Sequence, residues 1–212
     1  MESTKIAEYL LKIKAVRIQP KEPFTWSSGW QSPIYCDNRF ALSFPEIRDE
    51  IKRSFVDAIE EMYPQADAIA GVATGAIAWG VLVAEAMGLP FVYIRAKAKG
   101  HGMQNMIEGN LQKEKQYVVI EDLVSTGKSS VSAVKAMQDA GATILGTLSI
   151  FSYGFPQAEA AFATTGTPYT PLTNLRTLLQ KATEIDYLAA HEQESVFEWQ
   201  DDPENWGQAA NK

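Results

Sequence analysis

Val118-Val119-Ile120-Glu121-Asp122-Leu123-Val124-Ser125-Thr126-Gly127-Lys128-Ser129-Ser130 runs from three β-branched apolar residues into two adjacent carboxylates. Small hydroxyl residues and one glycine follow, and then a helical pattern opens. A short apolar run of this kind reads as a buried parallel strand. The loop that leaves the C-terminal end of such a strand places ligand at the mouth of an open α/β sheet. Bare amides at the start of the next helix suit a phosphate. The carboxylates suit the hydroxyls of a ribose, with a magnesium ion nearby. One segment therefore offers seats for both halves of a ribose 5-phosphate.

Two plainer readings compete. Gly127-Lys128-Ser129 matches the end of a nucleoside-triphosphate P-loop, but that motif needs a glycine where this chain has Asp122. A strand ending in a turn capped by Ser125 or Thr126 explains the hydroxyl residues. It does not explain two acids in a row.

Outward from this segment, strands and helices alternate. Residues 3–16 read as an amphipathic helix with Ile6, Tyr9, Leu10 and Ile13 on one face. Residues 20–40 hold prolines and aromatics without helical period, and read as loop and short strands. Ser43 is expected to cap a helix running to about Met62, with Pro64 after it. A strand over 67–72, a glycine-rich turn over 71–75 and a helix to about Met87 follow, with Gly88 and Pro90 as the stop. Residues 91–94 make a second strand, 104–111 a hairpin arm, and 117–120 the third core strand. A helix over 128–140 ends at Gly141, and 143–151 is a fourth strand. The alternation predicts an α/β fold with a parallel sheet. From Pro156 the pattern reads mostly as short helices. The acidic tail over 192–212 carries Trp199 and Trp206, and either hangs loosely or docks through its tryptophans.

Composition sets bounds. The 212 residues suit one domain better than two. Hydrophobic residues make up 46%, which argues against disorder. No run of about eighteen apolar residues exists, so no membrane helix is expected. Met1-Glu2-Ser3-Thr4-Lys5 lacks a signal peptide's apolar core, and Cys36 is the only cysteine, so a reducing cytoplasm is expected. The net charge of -7 disfavours nucleic acid as a partner. Yet no acid stands between Glu85 and Glu108, while that interval holds Arg95, Lys97, Lys99 and His101. This cationic island suits a small polyanion.

The segment around Glu121 resembles the phosphoribosyl-pyrophosphate (PRPP) signature of the type I phosphoribosyltransferases: apolar residues, two acids, two variable residues, then Ser/Thr-Thr-Gly. Phe24-Thr25-Trp26-Ser27-Ser28-Gly29-Trp30-Gln31-Ser32-Pro33-Ile34-Tyr35-Cys36-Asp37-Asn38-Arg39 resembles the base segment of that family's orotate branch. Arg95-Ala96-Lys97-Ala98-Lys99-Gly100-His101-Gly102 resembles the branch's mobile catalytic loop. The three motifs occur in the family's order and cover roughly residues 20 to 155.

The resemblance implies a type I phosphoribosyltransferase fold. That is a mostly parallel central sheet flanked by helices, with a small hood from residues 1–42 and part of 155–212, all in one domain over 1–212. It implies transfer of ribose 5-phosphate from PRPP to orotate, with Mg2+ as cofactor, through an oxocarbenium-like transition state. Lys99, Arg95 and His101 would be catalytic, with Lys97 standing in for a lysine some members carry at Ala96. Glu121 and Asp122 would hold the ribose hydroxyls and serve the magnesium, directly or through water. Leu123, Val124, Ser125, Thr126, Gly127, Lys128 and Ser129 would line the 5-phosphate, although Lys128 could equally face solvent. Thr74 and Gly75 would meet the pyrophosphate, where some members carry a lysine aligned with Gly75. Orotate would meet Ser125, Tyr35, Cys36 and Ser27. Some members place a lysine at Ser27 and an arginine near Tyr153. Both are absent here, so the cation facing orotate's carboxylate stays open, with Arg39 a candidate outside any motif. The resemblance also implies a homodimer with shared active sites. The alternatives are a purine or uracil phosphoribosyltransferase, and a non-enzymatic regulator of the same fold.

Overall fold

The computed structural model describes residues 3–26, 28–95 and 106–207. In chain order the elements are α1 (Ser3–Lys12), β1 (Val16–Ile18), β2 (Phe24–Thr25), β3 (Gln31–Ser32), β4 (Ile34–Cys36) and a 3-10 turn (Asn38–Ser43). There follow α2 (Pro45–Met62), β5 (Ala68–Val72), α3 (Ala76–Met87), β6 (Phe91–Ile94), β7 (Ile107–Glu108), β8 (Gln116–Val124) and α4 (Lys128–Asp139). The chain closes with β9 (Thr143–Ser152), α5 (Pro156–Ala163), β10 (Tyr169–Asn174), α6 (Leu175–Glu184) and α7 (Ala190–Asp201).

The central sheet has the order β10-β9-β8-β5-β6-β7. Neighbours run parallel except β7, which lies antiparallel to β6. From β5 the chain moves outward to β6, and from β8 it moves outward the other way to β9. The adjacent pair β5 and β8 is therefore the topological switch point, where a crevice opens at the carboxyl ends of the strands.

Alternation along β8 assigns the faces. Val118 and Ile120 are buried with Ile51 and Phe55 of α2 and Trp79 and Val83 of α3. Tyr117 and Val119 are buried with Ala133, Val134 and Met137 of α4. Both faces of the sheet are covered, which explains the unbroken apolar run. β1 pairs antiparallel with β4, and α1 packs on α6 and β10, so the two ends of the chain meet on one side of the sheet.

Several expected boundaries move. α1 stops at Lys12 because Lys14 takes φ 59, outside helical space. Ser43 does not cap α2: Phe44 stands at the cap without a side-chain bond, and Pro45 takes the first turn, where its missing N–H is harmless. The strand expected over 117–120 runs on through both acids to Val124. Within the region read as short helices lies an unexpected edge strand, β10, whose Pro171 is tolerated at an edge. Of the arm expected over 104–111, residues 104 and 105 lie outside the described residues, and among the rest the strand covers Ile107 and Glu108. Gly88 ends α3 as expected, at φ 66 with its N–H on the Ala84 and Glu85 carbonyls. The tail docks: α7 buries Val196 and Trp199 completely. Among the described residues no helix is long and apolar enough to cross a membrane.

Candidate active site at the switch point

The two acids of β8 are separated by the pleat. Glu121 faces α4 and is only 4% exposed. Ser130 Oγ of α4 donates to its Oε2 at 2.8 Å, and the Asp122 backbone N–H donates to its Oε1 at 2.9 Å. Burial first, and then the neighbouring Asp122 charge, push the Glu121 carboxyl well above its ordinary range. Asp122 faces the other way, half-buried. Its carboxylate lies so close to Gly75 that any Cβ there would overlap it. Gly75 has an ordinary helical φ of -61, so close approach rather than backbone freedom requires the glycine.

Beyond β8 the chain enters the phosphate-type loop. Neither Ser125 nor Thr126 caps α4. Gly127 does so at φ 75, with no side-chain cap bond, which leaves the first amides of α4 to a ligand. Leu123, Ser125, Thr126, Gly127, Lys128 and Ser129 line a cavity of about 370 Å³ there. Val124 is buried, whereas Lys128 and Ser129 are exposed. A larger cavity of about 700 Å³ lies on the outer side of α4, between Lys135 and Ala161. It shares only Thr126 and Lys128 among the expected site residues, and neither acid of β8 lines it.

On the β5 side, the Ala73 N–H donates to the Ile94 carbonyl at 2.7 Å, joining the glycine-rich turn to the end of β6. Thr74 is exposed at that turn, and the Ala73–Thr74 peptide is cis. Arg95 is the next residue after β6. Its Nη1 lies 3.3 Å from Glu108 Oε1, so the fold returns an acid to the cationic island. Lys97, Lys99 and His101, like Ser27, lie outside the described residues.

The base-type segment reaches the same mouth. Asn38 is fully buried, and its Nδ2 donates to the Asp122 carbonyl at 2.6 Å. Cys36 Sγ donates to Asn38 Oδ1 at 3.3 Å, and burial together with the Asp122 charge holds that thiol neutral. Tyr153 is buried, which pushes its phenol well above the usual range, against a smaller opposing influence of the Cys36 backbone beside it. Tyr35 turns outward, 37% exposed, with the Arg17 guanidinium 5.1 Å from its ring centre and equally close to Phe24. Arg39 grips Asp37 with two bonds of 2.7 and 2.9 Å, so its charge is already matched locally.

The fold thus gathers Asp122, Gly75, Asn38, Cys36 and the loop over 125–129 around one crevice. Sequence reasoning passed over Asn38, Ser130, Glu108 and Arg17. Asn38 and Ser130 lay within quoted stretches, but all four act through contacts that no local spacing announces. Chemically, the crevice offers one open carboxylate, a set of helix-terminal amides and a neutral, hydrogen-bonding wall.

Comparison with known proteins agrees with this layout. Residues 42–160 match the family model described as Phosphoribosyl transferase domain. The orotate phosphoribosyltransferase of Porphyromonas gingivalis is 46% identical over 202 residues, 95% of this chain and 96% of the relative. That of Cytophaga hutchinsonii is 48% identical over 201 residues, with 95% and 96% covered. Among solved structures, the orotate phosphoribosyltransferase from Aeropyrum pernix superposes with a TM-score of 0.75 at 26% identity, covering 87% of this chain and 99% of that one.

Proposed function

Because this chain belongs to the phosphoribosyltransferase family, we propose that it transfers ribose 5-phosphate from PRPP to orotate. The products are orotidine 5′-monophosphate and pyrophosphate, in pyrimidine nucleotide synthesis. The observation that carries the reading is the bond from Asn38 to the Asp122 carbonyl, which brings the base-type segment onto the ribose-type acid at the switch point. The relatives named for this activity span nearly the whole chain.

In the reaction, orotate N1 bonds to the ribose C1, the C1–oxygen bond to pyrophosphate breaks, and the N1 proton leaves. The ribosyl carbon gains cationic character while the pyrophosphate gains negative charge. Arg95, Lys97, Lys99 and His101 are assigned to that growing charge, since preorganised donors there are usually the largest catalytic term. Ser125, Thr126, Gly127 and Ser129 seat the 5-phosphate at the start of α4, and Lys128 stands exposed at its rim. Thr74 and the backbone around Gly75 receive the pyrophosphate. Asp122 accepts from the ribose hydroxyls. Glu121, pinned by Ser130, is assigned chiefly to holding Asp122 and the phosphate loop in register. Cys36, Tyr35, Ser27 and Ser125 border the base.

The donor set fits magnesium of the substrate-carried kind. Magnesium keeps several waters and takes one or two carboxylates plus substrate phosphates, and Asp122 is the open carboxylate here. Bound there, the ion would neutralise pyrophosphate oxygens. A homodimer with composite sites and a cytoplasmic location belong to the same proposal. The latter is supported by the lone cysteine, Cys36.

The test is direct. Purified protein with PRPP and Mg2+ should form orotidine monophosphate from orotate, and no nucleotide from adenine, hypoxanthine or uracil. Preference for any of those bases over orotate overturns the assignment.

A further inference from the structure

The acidic C-terminal tail takes no part in the chemistry above, yet it is built against the base-type segment at two points and against the residues just before it at a third. Lys21 Nζ meets Glu192 Oε1 at 2.9 Å. Trp26 meets Trp199 edge-on, with ring centres 5.4 Å apart. A Cβ built on Gly207 would stand 3.4 Å from Gln31 Cβ, which is ordinary contact. The described part of the tail therefore meets Lys21, Trp26 and Gln31 in turn.

Trp199 is the centre of this contact. It is fully buried, and its ring also lies 5.5 Å from Tyr153 and 5.3 Å from Phe155. Gln200 next to it donates from Nε2 to the Tyr153 carbonyl at 2.6 Å. Both aromatic neighbours of Trp199 on the site side hold the base-reading strand. Trp26 Nε1 donates to the Ile34 carbonyl at 3.2 Å, and the Tyr153 phenol lies beside the Cys36 backbone. The two props of β4 thus rest on one side chain from α7. Trp199 Nε1 itself has no hydrogen-bond partner among the described residues. The residue contributes ring area and shape rather than a bond.

We propose that Trp199 of α7 is a positioning residue that sets orotate affinity, by fixing Trp26 and Tyr153 and through them residues 34–36. This rests on the reading of residues 24–39 as the base site. The phosphate loop leans on a different cluster, Val124 and Val131 with Ala158 and Phe162. A fault in α7 should therefore reach the base and spare PRPP.

The experiment separates the two substrates. Steady-state kinetics are measured for Trp199→Leu, Trp199→Phe and Gln200→Ala, each checked by circular dichroism and thermal melting. Trp199→Leu should raise the KM for orotate about tenfold, since small misplacements near a reacting group cost that order or more. The KM for PRPP should stay within about twofold, because its seat is held elsewhere. Trp199→Phe should give a smaller rise in the same direction. If Trp199→Leu does not fold, Gln200→Ala, at a partly exposed position, reads the same split. Parallel changes in both KM values, or an unchanged orotate KM in the folded variants, overturns the proposal. Failure of the wild-type protein to use orotate would instead strike the reading of the base site.

Discussion

Glu121 and Asp122 are adjacent and carry the same formal charge, and the pleat gives them different environments. Asp122 stays at the crevice, while Glu121 is clamped at both oxygens under α4. The acid pair was legible in the sequence. Its division was not, because the apolar run stops at Ile120, and only a strand continuing to Val124 sends successive side chains to opposite faces. Asn38 and Ser130 were illegible for a related reason: each bonds across the fold, Asn38 to β8 and Ser130 back from α4. The raised Glu121 carboxyl has a consequence for stability. A carboxyl whose folded value lies above its unfolded one binds protons more tightly in the native state. Its stabilising contribution is full below the unfolded value and is lost as pH rises through the folded one. Glu121→Gln keeps the shape, accepts from the Asp122 N–H, and lets the Ser130 hydroxyl turn to accept. We expect the melting temperature of the variant, relative to wild type, to rise between pH 4.5 and pH 8. A relative melting temperature that falls across that interval would refute the buried, proton-holding carboxyl.

At the scale of elements, the parallel core strands and their helices were readable because each strand is a short apolar run and the helices between them stop at Pro64, Gly88 or Gly141. β10 was not. Tyr169-Thr170-Pro171-Leu172-Thr173-Asn174 holds one aliphatic residue and a proline, and its strand character comes from pairing with β9. Tertiary context overrode a weak local preference. That context leaves a flaw. Thr173 is fully buried, and its Oγ1 has no hydrogen-bond partner among the described residues. An unpaired buried hydroxyl costs free energy that an apolar group of the same shape would not. Thr173→Val keeps the branching that suits a strand. It should stabilise the protein by about 1 kcal/mol, read as a higher urea midpoint with an unchanged slope. A lower midpoint would mean that the hydroxyl is satisfied in solution, by water or by local movement.

For the whole molecule, the sequence placed ligand at the carboxyl end of the strand over 117–120, and the pairing of β5 with β8, which no motif announces, sets the glycine-rich turn beside it. The expected hood was less legible, since the segments assigned to it come from both ends of the chain and meet through long-range contacts such as α1 on α6, Lys21 on Glu192 and Trp26 on Trp199. Arg95 follows β6 at the start of the cationic island, and Asp122 sits near the end of β8, so the two halves proposed for catalysis belong to separate segments. If each loop completes the partner subunit's site, defects in the two segments should complement between chains. Lys99→Ala removes a charge from the loop, and Asp122→Asn removes the ribose-facing carboxylate. Each homodimer should be nearly inactive, since loss of one preorganised charge typically costs about a hundredfold or more. Mixed under conditions of subunit exchange, half the dimers become hybrids. In a hybrid with shared sites, one site carries both defects and the other carries neither. Activity should then return to about a quarter of wild type, from the two-fold symmetry of the pair. Native mass spectrometry can verify the exchange. Verified hybrids without recovered activity would show that the loop serves its own chain, and the composite site would have to be abandoned while the switch-point crevice stands.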